Sequence, residues 1–407
     1  MKQTWITIFP DTFIWIRGTI GLIYNSKKQS EFRFTLNNRI EQICKELFLP
    51  ENLYSTILTE EDLDDNEVGW WIHCITNKIG GAYLTSFDEQ RPVSFKPILK
   101  INNNIEYYIW NHQRGTGGET LHNIHELIFY INKSEFGNNF YFRQTKFPLK
   151  NCLELDIESI LFFIQSCLNP YLMNIELVGN IFTYSNYTKL INEIINLGIG
   201  CSINITLLDF LAQIKNLNSI QISDQVKLNI LIEKSLFSDS FVQLSKIEEI
   251  QSVVAHVLST EEYCFFLDIF NKFPTNYNTQ LIPIFNGDNL HFFEDNVFMG
   301  QEDFDNVFIT KREIFSNQSI NNNDFGKLTV LPDGSVYANV NMEKLGTVKD
   351  SPYSIVHKEL TEGNSWLRIR DMKPCCDCVY QWLCPSPSNY EPAIGKPNLC
   401  HINPYSE

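Results

Sequence analysis

Between Glu126 and Phe285 the chain repeats one pattern, a short apolar run followed by a stripe of apolar residues at helical spacing, and that repeat leaves few folds open. Leu127 to Ile131 reads as a buried strand. Ile157, Ile160, Leu161, Ile164 and Leu168 then recur at helical period until Pro170, and Ile175 to Val178 is the next strand. Tyr187, Leu190, Ile191 and Ile194 make a second stripe, with Gly198 placed to cap it. Further strand-like runs stand at Cys201 to Ile205, Ile220 to Ile222, Leu228 to Ile232, Cys264 to Phe270 and Leu281 to Phe285. Strands separated by helices pair in parallel, so the pattern predicts an α/β sheet, open or curled into a barrel. At 407 residues and 43% hydrophobic, the chain is long for a single core, and two or three folded domains are expected.

The N-terminal segment is organised differently. Trp5 to Phe9, Phe13 to Ile16 and Leu22 to Tyr24 alternate as short strands, with turns at Arg17-Gly18 and Asn25-Ser26. Asn37 or Asn38 can cap a helix carrying Ile40, Ile43, Cys44 and Leu47, which Pro50 ends. Thr59 and Asp62 form a capping-box pattern ahead of an acidic helix that runs on through Trp70 and Trp71 to Ile79. A strand is expected from Val93 to Ile101. The polar run His112-Gln113-Arg114-Gly115-Thr116-Gly117-Gly118 then reads as a linker, because its spacing fits no nucleotide fingerprint. His112 and Arg114 are expected to be solvated.

Four cysteines close the chain in a Cys-x2-Cys-x5-Cys-x15-Cys array, Cys375, Cys378, Cys384 and Cys400. Such spacing brings two sulfurs to one turn and adds two more from later segments, which suits a 4Fe-4S cluster or a structural zinc; a disulfide set or unpaired thiols is the competing reading. Adjacent Cys375 and Cys376 cannot both ligate without strain, and His401 is a reserve ligand. The cysteine total is 11, and Cys44, Cys74, Cys152, Cys167, Cys201 and Cys264 are scattered singly, as core thiols. The apolar run near Met1 is too short for a signal peptide and no transmembrane stretch is read, so a reducing cytoplasm is expected. A formal charge of -16 without a basic patch disfavours nucleic acid. Ahead of the array, Leu328 to Tyr337 reads as a hairpin turning at Pro332-Asp333-Gly334.

The hairpin, the Leu345-Gly346-Thr347-Val348 segment and the cysteine array resemble, in that order, the SPASM extension of radical SAM peptide-modifying enzymes. The resemblance implies a partial (β/α)6 barrel and up to two auxiliary clusters. Here no cysteine lies between Cys264 and Cys375, Asn339 stands where a Gly-x4-Cys would end, and Ser388 stands where a Cys-x3-Cys would end. Three ligands of one cluster are thus missing and four of the other remain, so one 4Fe-4S cluster, or alternatively zinc, is expected. The family's Cys-x3-Cys-x2-Cys triplet should follow the first barrel strand, but Asn132 to Pro148 contains no cysteine. Its Gly-Gly-Glu-like turn is replaced by Val178-Gly179-Asn180. Both losses concern S-adenosylmethionine, which is not expected to bind.

The strands-then-helices order of the N-terminus resembles the winged-helix leader-peptide recognition domain of enzymes that mature ribosomally made peptides. Such domains add the leader as a strand along an edge. Glu31, Phe32, Arg33 and Phe34 are the expected edge, with Trp70 and Trp71 beside the groove or in the core. Across the chain the resemblance is to pseudo-radical-SAM proteins of bacterial peptide-maturation systems. It divides the chain into a recognition-like α+β domain at 1–110, a linker at 111–122, a degenerate barrel at 123–315 and a SPASM-like module at 316–407. The function it implies is a non-catalytic subunit binding a precursor peptide or a partner maturation enzyme. The alternatives are an Fe-S enzyme acting on a peptide without S-adenosylmethionine, for which Glu176 and Asp209 are acidic candidates, and a zinc-stapled scaffold.

Overall fold

The structure is a computed structural model that describes residues 3–86, 90–96, 109–110, 117–213, 226–234, 250–272, 277–305 and 308–404. The run Ile220 to Ile222, and most of the glycine-rich linker with His112 and Arg114, lie outside the described residues; of the strand expected from Val93 to Ile101, residues 93–96 are described and are not in a strand, and the rest lies outside them.

The strands in chain order are β1 (Thr4–Ile8), β2 (Thr12–Arg17), β3 (Ile20–Asn25), β4 (Ser30–Thr35), β5 (Ser55–Leu58), β6 (Ala82–Ser86), β7 (Glu126–Tyr130), β8 (Asn174–Val178), β9 (Gly200–Thr206), β10 (Val226–Glu233), β11 (Ile250–Val257), β12 (Asn278–Pro283), β13 (Lys327–Val330), β14 (Ser335–Tyr337) and β15 (Gly346–Thr347). Nine of them form one sheet in the order β12-β11-β10-β9-β8-β7-β13-β14-β15. From β7 to β12 each strand lies parallel to the next, and β13 joins β7 in parallel from the other side. The expected hairpin is formed, with Thr329 opposite Tyr337 and Val330 opposite Val336. It extends the nine-stranded sheet instead of standing apart in the C-terminal module.

A parallel sheet covered by helices on both faces has near-continuous apolar strands. These strands alternate instead. On β8 and β9, Ile175, Leu177, Cys201, Ile203 and Ile205 face a core built with the helices Ile157–Cys167 and Tyr187–Asn196. Glu176, Ser202 and Asn204 face the other way. The polar face lines a cavity of about 720 Å³, so the sheet is curled around a polar interior. Its two sides are bridged by the C-terminal tail: the Tyr390 hydroxyl donates to the Pro283 carbonyl on β12 at 2.8 Å, and the Asn339 amide beyond β14 donates to Asn389 at 2.6 Å.

Two expectations are corrected here. Cys264 to Phe270 is not a strand but part of the helix Thr260–Lys272, where Phe266, Ile269 and Phe270 meet the sheet at helical spacing and Glu261 and Glu262 favour the first turn. Cys264 is consequently exposed and not a core thiol. The strand before that helix is β11, which the sequence pattern had left unassigned.

The N-terminal part contains two antiparallel sheets, β5-β1-β6 and β2-β3-β4, so the successive short strands read from the sequence do not all pair with one another. The chain reverses at Phe9 to Thr12, so β1 leaves its neighbour and pairs with two distant strands. Asn37 caps the helix Asn38–Phe48, and Thr59 with Asp62 forms the expected capping box. Gly21 lies opposite Phe34, whose ring crosses it so closely that a Cβ would sit 2.2 Å from the ring. One face of β2-β3-β4 packs on the helices Asn38–Phe48 and Asn66–His73. The other carries Phe13, Leu22 and Tyr24 into a core shared with Phe304, Val379, Tyr380 and Leu383.

Candidate functional site

The cysteine module is built on a 3-10 turn, Cys375–Asp377, that follows Pro374. Cys375, Cys378, Cys384 and Cys400 border one small cavity, together with Arg370 and Asn398. Cys376 is not among its walls; its thiol turns to the Asp377 carboxylate at 3.6 Å. N–H donors approach at least three of the four sulfurs, the Tyr380 amide among them at Cys378. Arg370 Nη1 and Asn398 Nδ2 reach Cys375 Sγ at 3.9 and 3.7 Å, and the Ile402 amide reaches Cys400 Sγ at 3.3 Å. Arg370 is held by the Pro385 carbonyl at 2.6 Å and by Glu391 at 3.0 Å. Burial pushes the Cys378, Cys384 and Cys400 thiols up, with Arg370 opposing the shift at Cys384. A group that needs these sulfurs as thiolates must therefore bring its own positive charge. Among the described residues no three cysteine, histidine, aspartate or glutamate side chains are gathered for a single metal ion. The donor set, with its N–H groups and buried guanidinium, fits a thiolate-held cluster. His401 bonds through Nε2 to the Glu294 carbonyl at 2.8 Å and is not part of the cavity wall.

The second constellation is in the curled sheet. Glu176 is 5% exposed, and its carboxylate meets Lys146 Nζ and accepts from Asn204 Nδ2 at 2.6 Å. Lys146 also reaches Glu126 at 3.3 Å, which accepts from Asn174 at 3.0 Å. Burial opposes the charge on Lys146, but the two carboxylates outweigh it and hold its pKa above the ordinary lysine value. For Glu176 burial prevails and the pKa is raised. Lys146 comes from the loop after β7, where the sequence reading had looked for thiols. That loop is folded into the sheet. Gln144 clasps the Phe285 backbone, donating at 2.7 Å and accepting at 2.8 Å, while Tyr141 and Phe147 pack on Leu231, Val254 and Ile284.

At the ends of β7, β8 and β9 a third group closes on itself. Asp209 accepts from Thr206 at 2.7 Å, from Asn180 Nδ2 at 3.0 Å and from Ser134. Asn132 accepts from the Asn180 amide at 2.9 Å and donates to its carbonyl at 2.9 Å. Gly179 has φ +143, and a Cβ there would lie 2.5 Å from Asn132 Oδ1, so glycine is required for this closure. Asn180 Oδ1 is left buried without a hydrogen bond. Neither acidic candidate is therefore a free base: Glu176 is paired with a cation, and Asp209 is saturated by donors.

The expected peptide edge is divided by the pleat. Among the described residues strand β4 pairs only with β3, at an edge of its sheet. Phe32 and Phe34 are buried in the N-terminal core, Phe34 against Trp71 at 5.8 Å between ring centroids. Trp70 is 55% exposed and edges onto Phe32 at 5.1 Å. Arg33 lies on the opposite side, bordering a shallow cavity with Cys378 and Tyr380. Glu31 is pushed up to about 7, by burial first and then by Asp305. The sequence reading missed Gln144 and Lys146, whose partners lie 141 and 20 to 30 positions away and leave no local signal, and it missed Arg370 although that residue stands only five positions before Cys375.

No protein-family model and no curated protein matches the chain. Among solved structures the chain is similar to "Crystal structure of Streptococcus suis SuiB bound to precursor peptide SuiA", at a TM-score of 0.42 and 12% sequence identity over 99% of each chain. Likeness at that level carries no functional argument. Among the described residues no helix is long and apolar enough to cross a membrane.

Proposed function

We propose that this chain is a subunit of a peptide-maturation system, with a degenerate radical-SAM-like barrel and a SPASM-like tail. In this reading it binds a precursor peptide along β4, does not cleave S-adenosylmethionine, and holds one 4Fe-4S cluster on Cys375, Cys378, Cys384 and Cys400. The observation that carries it is that those four thiols, and not Cys376, border one cavity, with N–H donors directed at Cys375 and Cys400. A cluster bound there would supply an electron-transfer centre or a rigid cross-link. The loss of S-adenosylmethionine chemistry is supported by the stretch Asn132 to Pro148 after β7, which carries Gln144 and Lys146 into the sheet and contains no cysteine. It is supported also by Asn132, Asn180 and Asp209, which bond to one another at the strand ends. For the peptide, support comes from the side of β4 with which no described strand pairs and from Trp70 standing exposed beside it.

The test uses the full chain, reconstituted anaerobically with iron and sulfide. Expected are a brown protein holding iron and sulfide in equal amounts, no heat of binding with S-adenosylmethionine, and binding of a precursor encoded beside the gene. Stoichiometric S-adenosylmethionine binding, or 5'-deoxyadenosine after reduction, would overturn the degenerate-barrel reading. Zinc in place of iron would move the tail to a structural role, and a full chain that ignores every neighbouring precursor would remove the peptide.

A further inference from the structure

The cysteine turn is not held by its own module alone. Within the turn, Asp377 and Cys378 donate to the carbonyls of Pro374 and Cys375, at 3.1 Å each. The Cys376 carbonyl is taken by Arg17 Nε, from the end of β2, at 2.9 Å. The same guanidinium donates through Nη2 to Gln381 Oε1 at 2.8 Å, and its third donor is fixed on the Ile16 carbonyl at 2.9 Å. Gln381 in turn donates to the Arg370 carbonyl at 2.7 Å, and the Arg370 side chain reaches Cys375 Sγ. Arg17 thus grips the chain between Cys375 and Cys378 and again between Cys378 and Cys384. A planar fork can hold two such acceptors in fixed relation, and a lysine cannot.

We infer that Arg17, a residue of the N-terminal sheet, is a positioning residue of the C-terminal metal centre, which is completed only when that sheet is docked. The inference rests on the reading of the four cysteines as a cluster site. Groups that orient ligands from behind typically change metal affinity by about 10- to 100-fold when removed. The docked surfaces also share an apolar core, so a variant could act by loosening the interface as a whole. Lys311 supplies the control. It pairs with Asp11 at 2.6 Å across the same interface, and it is not a wall of the cysteine cavity.

The experiment compares reconstituted full-length wild type, Arg17→Gln, Arg17→Lys and Lys311→Met, each checked for folding by circular dichroism. The rate of iron loss to an added chelator is followed by visible absorbance. Arg17→Gln is expected to lose iron at least about ten-fold faster than wild type, Arg17→Lys to fall between them, and Lys311→Met to match wild type. Iron held by Arg17→Gln at the wild-type rate overturns the inference. So does equal loss from Lys311→Met, which would mean that docking alone matters. A wild-type chain that takes up no metal overturns it together with the cluster reading, and is recognised before any variant is compared.

Discussion

Removing the Lys146 ammonium tests whether the interior of the curled sheet is organised by charge. Lys146→Met leaves Glu176, 6% exposed at its side chain, and Glu126 without their shared cation. At an effective dielectric of 20, a unit charge pair at the 3.3 Å Lys146–Glu126 distance is worth roughly 5 kcal/mol before desolvation. The lysine side chain is 36% exposed, so solvent screens part of that; Glu126 keeps Lys327 at 3.9 Å, and Glu176 recovers some energy by taking up a proton. A net loss of about 3 kcal/mol near pH 7.5 follows, at the low end for breaking a buried pair. Near pH 4.5, where Glu176 is protonated in the variant, the loss should shrink to about 1 kcal/mol. Glu176→Gln on the Lys146→Met background should restore about 2 kcal/mol, because the neutral amide no longer needs the cation. Native-state hydrogen exchange of the β7, β8 and β9 amides measures the opening free energies directly. Additive single and double variants, or a loss at pH 4.5 equal to that at pH 7.5, would refute the argument.

Cys384→Ser should lower metal content sharply while Cys376→Ser leaves it near wild type, as read by iron analysis after reconstitution; equal losses would sink the ligand assignment. Trp70→Ala should weaken precursor binding by about 2 kcal/mol, the scale of an aromatic anchor, with calorimetry as the check and unchanged affinity as the contrary result. Glu359 is pushed up to about 7, chiefly by burial, although the Ser365 and Trp366 amides donate to it. Its folded state favours the proton, so its stabilisation is complete below pH about 4.5 and is lost as pH rises through about 7, roughly 3 kcal/mol in all. Glu359→Gln keeps the acceptor oxygen and should remove that slope from stability measured between pH 5 and 8; an unchanged slope assigns it elsewhere.

The strand–helix succession was legible because each unit announces itself locally. Ile160 and Ile164 fall on one helix face, and Ile175 to Val178 is bounded by turn residues. The apolar run Cys264 to Phe270 was ambiguous by composition, and helical spacing settles it only when Phe266 is known to be the buried residue. Polar residues alternating along parallel strands carried a further message, that one face lines a cavity, but it is readable only once the strands are known to be neighbours. The cysteine array could be read as a group because its spacing is local. Its support by Arg17 could not, since Arg17 and Cys376 stand 359 positions apart.

That same separation sets a timetable. The N-terminal sheet leaves the ribosome before the cysteine turn, but its face bearing Phe13, Leu22 and Tyr24 is covered by residues from Phe304 to Leu383. At roughly 5–20 residues per second, the 359 positions between Arg17 and Cys376 take roughly 20 to 70 s to make. Through that interval three large side chains wait in water, open to holding chaperones or to a neighbouring nascent chain. A fragment ended near residue 110 would never leave that condition, so what it binds in isolation reports the waiting surface as much as the β4 edge.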